Sequence, residues 1–120
     1  MTAPREDAVY VGHIRDAVSR IGSYLAGVSE EQFTNTTLLQ DGVIRQLEVI
    51  GEATKRLSPR FRQSTPQVPW KDVAGMRDKL AHDYMGVDLQ AVWDSATIDV
   101  PALGAVLERL ADPSTGSNSA

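Results

Sequence analysis

Apolar residues recur at spacings of three and four along two long stretches of this chain, and nowhere do they alternate with polar residues at period two. That pattern limits the fold to helices packed on helices, because each apolar stripe has to be covered by another. From Asp7 to about Ala26 the stripe is Tyr10, Ile14, Ala17, Ile21 and Tyr24/Leu25, with Gly27 as the expected stop. From about Thr36 to Leu57 it is Leu39, Val43, Leu47, Ile50, Thr54 and Leu57, with Thr34 or Asn35 as the expected cap. Val43, Ile44, Leu47 and Ile50 should form the centre of the core. Gly51 interrupts this second helix at a cost of about 1 kcal/mol relative to Ala, which points to close packing against a neighbouring helix. Between the two stretches, Ser29 and Gln32 stand in capping-box register and predict a short helical turn.

The segment SPRFRQSTPQVPW, Ser58 to Trp70, is the main break, with one helical turn expected around Pro59 to Gln63. Pro69 suits the first turn of a third helix, in which Val73, Met76, Leu80 and Tyr84 follow the stripe up to Gly86. Asp88 is the expected cap of a fourth helix carrying Leu89, Val92, Trp93 and Ala96. Asp99 and Pro101 should break or kink the chain before a last helix with Leu103, Val106, Leu107 and Leu110. The expected architecture is all-α, an up-and-down bundle of four to five helices, with residues 1–111 as one domain and 112–120 as a flexible polar tail.

Composition removes several classes of function. There are no cysteines, which excludes disulfides, thiol catalysis and cysteine-based zinc cages. His13 and His82 are the two histidines, without His-x-x-x-His spacing, so neither a metal site nor a cofactor is expected. No apolar run approaches the roughly 18 residues of a membrane span, and MTAPREDAVY lacks the layout of a signal peptide, so the chain is expected to be cytoplasmic. The net charge is −4, yet seven of the twelve bases (Lys55, Arg56, Arg60, Arg62, Lys71, Arg77, Lys79) lie between residues 55 and 79, against Asp72 and Asp78 as the acids there. A local basic field of this kind can hold phosphates on an acidic protein. Trp70 and Trp93 read as core or interface anchors and His13 as a surface histidine. Glu52 either contacts Arg77 across the helices or is solvated.

The chemistry concentrates in GMRDKLAHDYMG, Gly75 to Gly86. An Arg, an imidazole and a phenol suit phosphodiester chemistry, one group moving a proton and another stabilising the pentacoordinate phosphate. His82 falls in the last turn of its helix, where unpaired carbonyls favour a cationic imidazole. On an ideal helix, however, Arg77 and Tyr84 are nearly in line while His82 lies about 140° round from Arg77. The three converge only if the helix loosens near Gly86 or a second copy supplies its own set, which makes a composite site at a dimer interface one of the expectations.

Arg77-Asp78-Lys79-Leu80-Ala81-His82-Asp83-Tyr84 matches the R-x4-H-x-Y pattern of the HEPN superfamily, and the chain resembles the HepT toxins in particular. The resemblance runs over roughly residues 7 to 111 and includes VIGEATKRLS (Val49 to Ser58), VPWKDVAGMRDKLAHDY (Val68 to Tyr84) and VDLQAVWD (Val87 to Asp94). It implies a HEPN-like helical fold, a symmetric homodimer and a metal-independent endoribonuclease. His82 would be the general acid/base for attack by the ribose 2′-hydroxyl, Arg77 would hold the scissile phosphate, Tyr84 would position RNA, and Asp78 would orient His82 or Arg77. Lys79, Lys55, Arg56, Arg60 and Arg62 are the expected wider phosphate contacts. The resemblance further implies a type VII-like toxin–antitoxin system with an MntA-type nucleotidyltransferase partner that adenylylates Tyr84. The competing expectation is a non-catalytic helical module that partners a nucleotidyltransferase or binds a nucleotide.

Overall fold

The first helix opens with Glu6 and Asp7 in its first turn, where carboxylates suit the positive end of the helix dipole. The computed structural model describes residues 5–75 and 88–111, and the first helix, α1, spans Arg5–Leu25. Gly27, at φ 73°, makes the turn out of it in the left-handed region that glycine adopts without penalty. The short helix α2 (Glu30–Thr34) has the expected capping box: Gln32 N–H donates to Ser29 Oγ at 3.1 Å, and Ser29 N–H donates to Gln32 Oε1 at 2.9 Å.

The second long helix, α3, spans Thr37–Arg56, and its N-cap is Thr36 rather than the expected Thr34 or Asn35. Thr36 makes no side-chain cap. Its hydroxyl donates instead to Gln32 O at 2.6 Å, and Asn35 Nδ2 donates to Glu31 O at 3.0 Å. Gln40, one turn into α3, reaches back to the carbonyls of Phe33 and Thr34 at 3.0 and 2.9 Å. The unpaired carbonyls at the end of α2 therefore take the polar side chains that the sequence offers as caps for α3.

Val43, Leu47 and Ile50 are fully buried, in one cluster with Ile14, Ala17 and Ile21 of α1. Ile44, expected at the centre, is half-buried at the margin of that cluster. Gly51 is buried, as close packing requires. Thr54 is buried too, and returns its hydroxyl to Ile50 O at 2.8 Å, which satisfies the polar atom inside the helix itself.

Two sites show how α1 and α3 run. At one end, buried Asp7 accepts from Ser58 N–H at 2.8 Å and from Ser58 Oγ–H at 2.7 Å. At the other end, a Cβ on Gly42 would sit 3.3 Å from the Tyr24 ring. The start of α1 meets the end of α3 and the reverse, so the pair is antiparallel. Ser58 also caps α4 (Pro59–Ser64), accepting from Phe61 N–H at 3.1 Å, with Pro59 in the first turn.

Pro69 lies just outside the next helix, α5, whose described part is 70–75; its carbonyl accepts the first helical bond from Val73 N–H at 3.1 Å. It thus precedes the first turn rather than sitting in it. Asp88 caps α6 (Leu89–Asp94) as expected, accepting from Ala91 N–H at 3.1 Å. Of the break or kink expected at Asp99 and Pro101 there is no break; the irregularity is a local change of helical register. A π-helical turn, Ser95–Asp99, runs straight into α7 (Val100–Ala111). Proline has no N–H to give Thr97 O and its ring crowds that carbonyl; the wider turn, in which Val100 N–H donates to Ser95 O, accommodates it without ending the helix.

Helix α7 lies along α1. A Cβ on Gly104 would stand 2.8 Å from Val18 Cγ1, and Arg15 Nη2 meets Glu108 Oε1 at 2.9 Å on the exposed rim. Rising numbers on α1 face falling numbers on α7, so α7 is antiparallel to α1 as α3 is. The described residues thus form an all-α bundle with α1 in the middle, and none of their helices is long and apolar enough to cross a membrane.

Three substitutions test this packing. Asp7→Ala leaves the Ser58 amide and hydroxyl without their acceptor and should cost about 1–3 kcal/mol in urea unfolding. Gly12, with nothing within 4 Å of an added Cβ, should gain up to about 1 kcal/mol as G12A, whereas Gly104→Val should lose about 1–3 kcal/mol against stiff Val18.

Candidate functional site

Arg77, Asp78, Lys79, His82 and Tyr84 lie outside the described residues. What the structure shows is how the flanks of that segment are held. On the entering side, Trp70 is buried at the start of α5, its Nε1–H donating to Thr65 Oγ1 at 2.7 Å and its ring tilted on Phe61 with centroids 6.1 Å apart. Thr65 in turn donates to Phe61 O at 3.0 Å, so α4, the loop and α5 are tied through one hydroxyl. On the leaving side, Asp88 caps α6 and Val92 is fully buried. Trp93 stacks at a tilt on Phe33 at 5.4 Å. Both tryptophans are anchors.

The expected phosphate contacts outside the motif stand on two consecutive short spans. Lys55 and Arg56 are exposed in the last turn of α3, where cations suit the negative end of the helix. Arg60 and Arg62 are on α4, about 200° apart on an ideal helix, so they face different ways. Arg60 is exposed. Arg62 is half-buried, and its Nε is buried without a hydrogen-bond partner among the described residues. Glu52 pairs with Arg56 at 3.6 Å, four residues along the same helix; the exposed pair is worth only a few tenths of a kcal/mol. Its expected contact with Arg77 falls outside the described residues.

Arg56 also lines a groove of about 370 Å³ between α1 and α3, together with Tyr10, His13, Arg45, Glu48 and Glu52. Its origin is the antiparallel register: with Asp7 against Ser58 and Tyr24 against Gly42, Tyr10 and His13 come opposite the last turns of α3. Arg45, Glu48, Glu52 and Arg56 recur at spacings of three and four, one polar stripe along α3. His13 is exposed and edge-on to half-buried Tyr10, with ring centroids 5.7 Å apart and planes at 83°. Sequence reading put Tyr10 on the core stripe and passed over Arg45. The α3 polar stripe was a signal, but the α1 side of the groove needed the register.

A second, more apolar cleft of about 630 Å³ lies between the start of α5 and α7, with Val68, Val73 and Leu103 among its walls and Lys71, Asp72 and Asp99 at its margins.

The model of the family described as "Ribonuclease HepT-like" matches residues 14–110. The chain belongs to that family. It is 38% identical over 101 residues to "Probable ribonuclease HepT" of Thermococcus cleftensis, covering 84% of this chain and 92% of that one. It is 39% identical over 103 residues to "Putative RNase TTE0752" of Caldanaerobacter subterraneus subsp. tengcongensis, covering 86% and 89%. A longer protein, "Gamma-glutamylcyclotransferase and putative RNase MJ0434" of Methanocaldococcus jannaschii, is 41% identical over 95 residues; the match takes in 79% of this chain and 43% of that protein. No solved structure matches the chain significantly. The all-α architecture is that of the HepT-like family, as the resemblance implied.

If Thr65 ties both flanking elements together, Thr65→Val should strand the buried indole N–H and cost about 1–3 kcal/mol of stability, read by thermal unfolding. Trp70→Phe, which removes donor and ring edge together, should cost less than the truncation Trp70→Ala.

Proposed function

We propose that this chain is a metal-independent endoribonuclease and the toxin of a two-gene, type VII-like toxin–antitoxin system. The observation that carries the reading is that the family match, residues 14–110, spans an intact Arg77, His82 and Tyr84. A protein that only bound a partner would have no need of a guanidinium, an imidazole and a phenol in this order.

In this reading His82 is the general acid/base for attack of the ribose 2′-hydroxyl on the neighbouring phosphorus. The O2′–P bond forms and the P–O5′ bond breaks, leaving a 2′,3′-cyclic phosphate and a 5′-hydroxyl. Arg77 holds the phosphate and offsets the charge that builds on it. Tyr84 positions the RNA, Asp78 orients His82 or Arg77, and Lys79, Lys55, Arg56, Arg60 and Arg62 extend the phosphate track. The protein works as a symmetric homodimer, in which two copies bring their motif residues together. An MntA-type nucleotidyltransferase silences it by transferring AMP from ATP to the Tyr84 hydroxyl with release of pyrophosphate, placing a bulky anion where RNA phosphates must bind.

Labelled RNA incubated with the purified protein in EDTA should give fragments ending in 2′,3′-cyclic phosphate. His82→Ala should lower the rate at least about 100-fold while Ser23→Ala, at an exposed position of α1, leaves it unchanged. Intact mass after co-expression with the partner should show added AMP on the wild-type peptide bearing Tyr84 and none there in Tyr84→Phe. A folded, unmodified dimer that cuts no RNA would leave the chain a binding module for a nucleotidyltransferase or a nucleotide.

A further inference from the structure

We propose that the groove between α1 and α3 is a subsite for a short run of single-stranded RNA, with the Tyr10–His13 pair receiving a base, Arg56 a phosphate beside it and Arg45 a phosphate further along the strand. The proposal rests on the ribonuclease reading and adds to it a substrate class and a place on the molecule away from the motif.

The groove has the parts that such a ligand needs. Its volume, about 370 Å³, is at the small end of ligand pockets. On the α1 wall, Tyr10 and His13 stand at 83° to each other with ring centroids 5.7 Å apart, and His13 is exposed. Base stacking on aromatic rings is tolerant of sequence and requires a base that is not already stacked in a duplex. On the α3 wall, Arg45 and Arg56 are eleven positions apart, about three helical turns or roughly 16 Å along the axis, so they meet different phosphates of the strand rather than converge on one anion, and the α1–α3 register sets the ring pair beside Arg56. Both are exposed, and phosphate contacts by exposed guanidinium groups are ordinary in single-strand tracks.

Glu48 and Glu52 also line this groove, and their charges weigh against a bare anion. Glu52 stands 3.6 Å from Arg56, which offsets part of that charge. A carboxylate between two guanidinium groups fits a nucleotide better than free phosphate, because it accepts from the exocyclic amines of a base while the cations take phosphates of the strand. The same mixture of charge disfavours a duplex, whose evenly spaced phosphates would meet the carboxylates as well.

The test is binding of a fluorescein-labelled, fully 2′-O-methylated twelve-nucleotide single strand, which cannot be cut by 2′-hydroxyl attack, followed by anisotropy in EDTA. Binding to the full chain should weaken about 5- to 100-fold in His13→Ala, the range for losing one stacked base. Arg45→Ala should weaken binding and reduce the steepness of its dependence on log salt by about 0.7, one phosphate contact on a single strand. His13 and Arg45 are both exposed, so both variants should fold, which circular dichroism checks. With natural RNA, the same two variants should raise KM on a twelve-nucleotide substrate and leave kcat unchanged.

Wild-type affinity in both variants, or no binding by the wild type, overturns the subsite. If natural RNA is still cut in that case, the ribonuclease reading stands without it. Binding that the two substitutions weaken, with no cleavage of natural RNA by the wild type, supports the groove and removes the ribonuclease reading. Variants that bind RNA normally but change the sedimenting mass would make the groove an interface between copies of this chain, which also overturns the proposal.

Discussion

The architecture depends on the antiparallel pairing of α1 with α3, and one buried carboxylate sets its register. Asp7 accepts both the amide and the hydroxyl of Ser58, at 2.8 and 2.7 Å, and Ser58 uses the same oxygen to cap α4. A carboxylate that accepts two hydrogen bonds in a buried place is fixed in position by them, since releasing either would leave polar groups unpaired. One residue therefore aligns two long helices and starts a third. The apolar stripes supply the bulk of the attraction, yet hydrophobic burial has no direction and would tolerate small slides between the two helices.

That register has two consequences at a distance from Asp7. It puts Gly42 under the Tyr24 ring, and it brings Tyr10 and His13 across from the charged stripe of α3, creating the groove. On the other side of α1, Gly104 lets α7 approach Val18 more closely than any side chain would allow. The π turn at Ser95–Asp99 serves the same packing: it accommodates Pro101 within a continuous helical run from which Val92, Ala96, Val100, Leu103 and Leu107 all reach the core.

The points where local reading and structure part are polar ones. Thr34 or Asn35 looks available to cap α3, but Thr34 belongs to α2, and the end of α2, only two residues away, claims the side chains of Asn35, Thr36 and Gln40. Pro101 looks like a helix end because an α-helical register cannot hold it, whereas a register one residue wider can. In each case a backbone carbonyl had a choice of partner, and the neighbouring element decided it. The candidate site divides the same way. Arg56 stands in the basic cluster that is visible in the sequence, while His13 and Arg45 had no shared motif to connect them.

The sequence by itself determined the helical class, the two long stripes, the Ser29 and Asp88 caps, the tryptophans as anchors and the HepT-like family, because each depends on spacing within one segment or on a run of residues read in order. Only the tertiary structure decided that α1 lies between α3 and α7, that Asp7 holds Ser58, and that an aromatic pair on one helix faces guanidinium groups on another. Those facts join positions about thirty or more residues apart, such as His13 with Arg45, Asp7 with Ser58 and Arg15 with Glu108. Helical periodicity states which face of a segment is apolar, but it carries no information on which other segment that face will meet or at what offset.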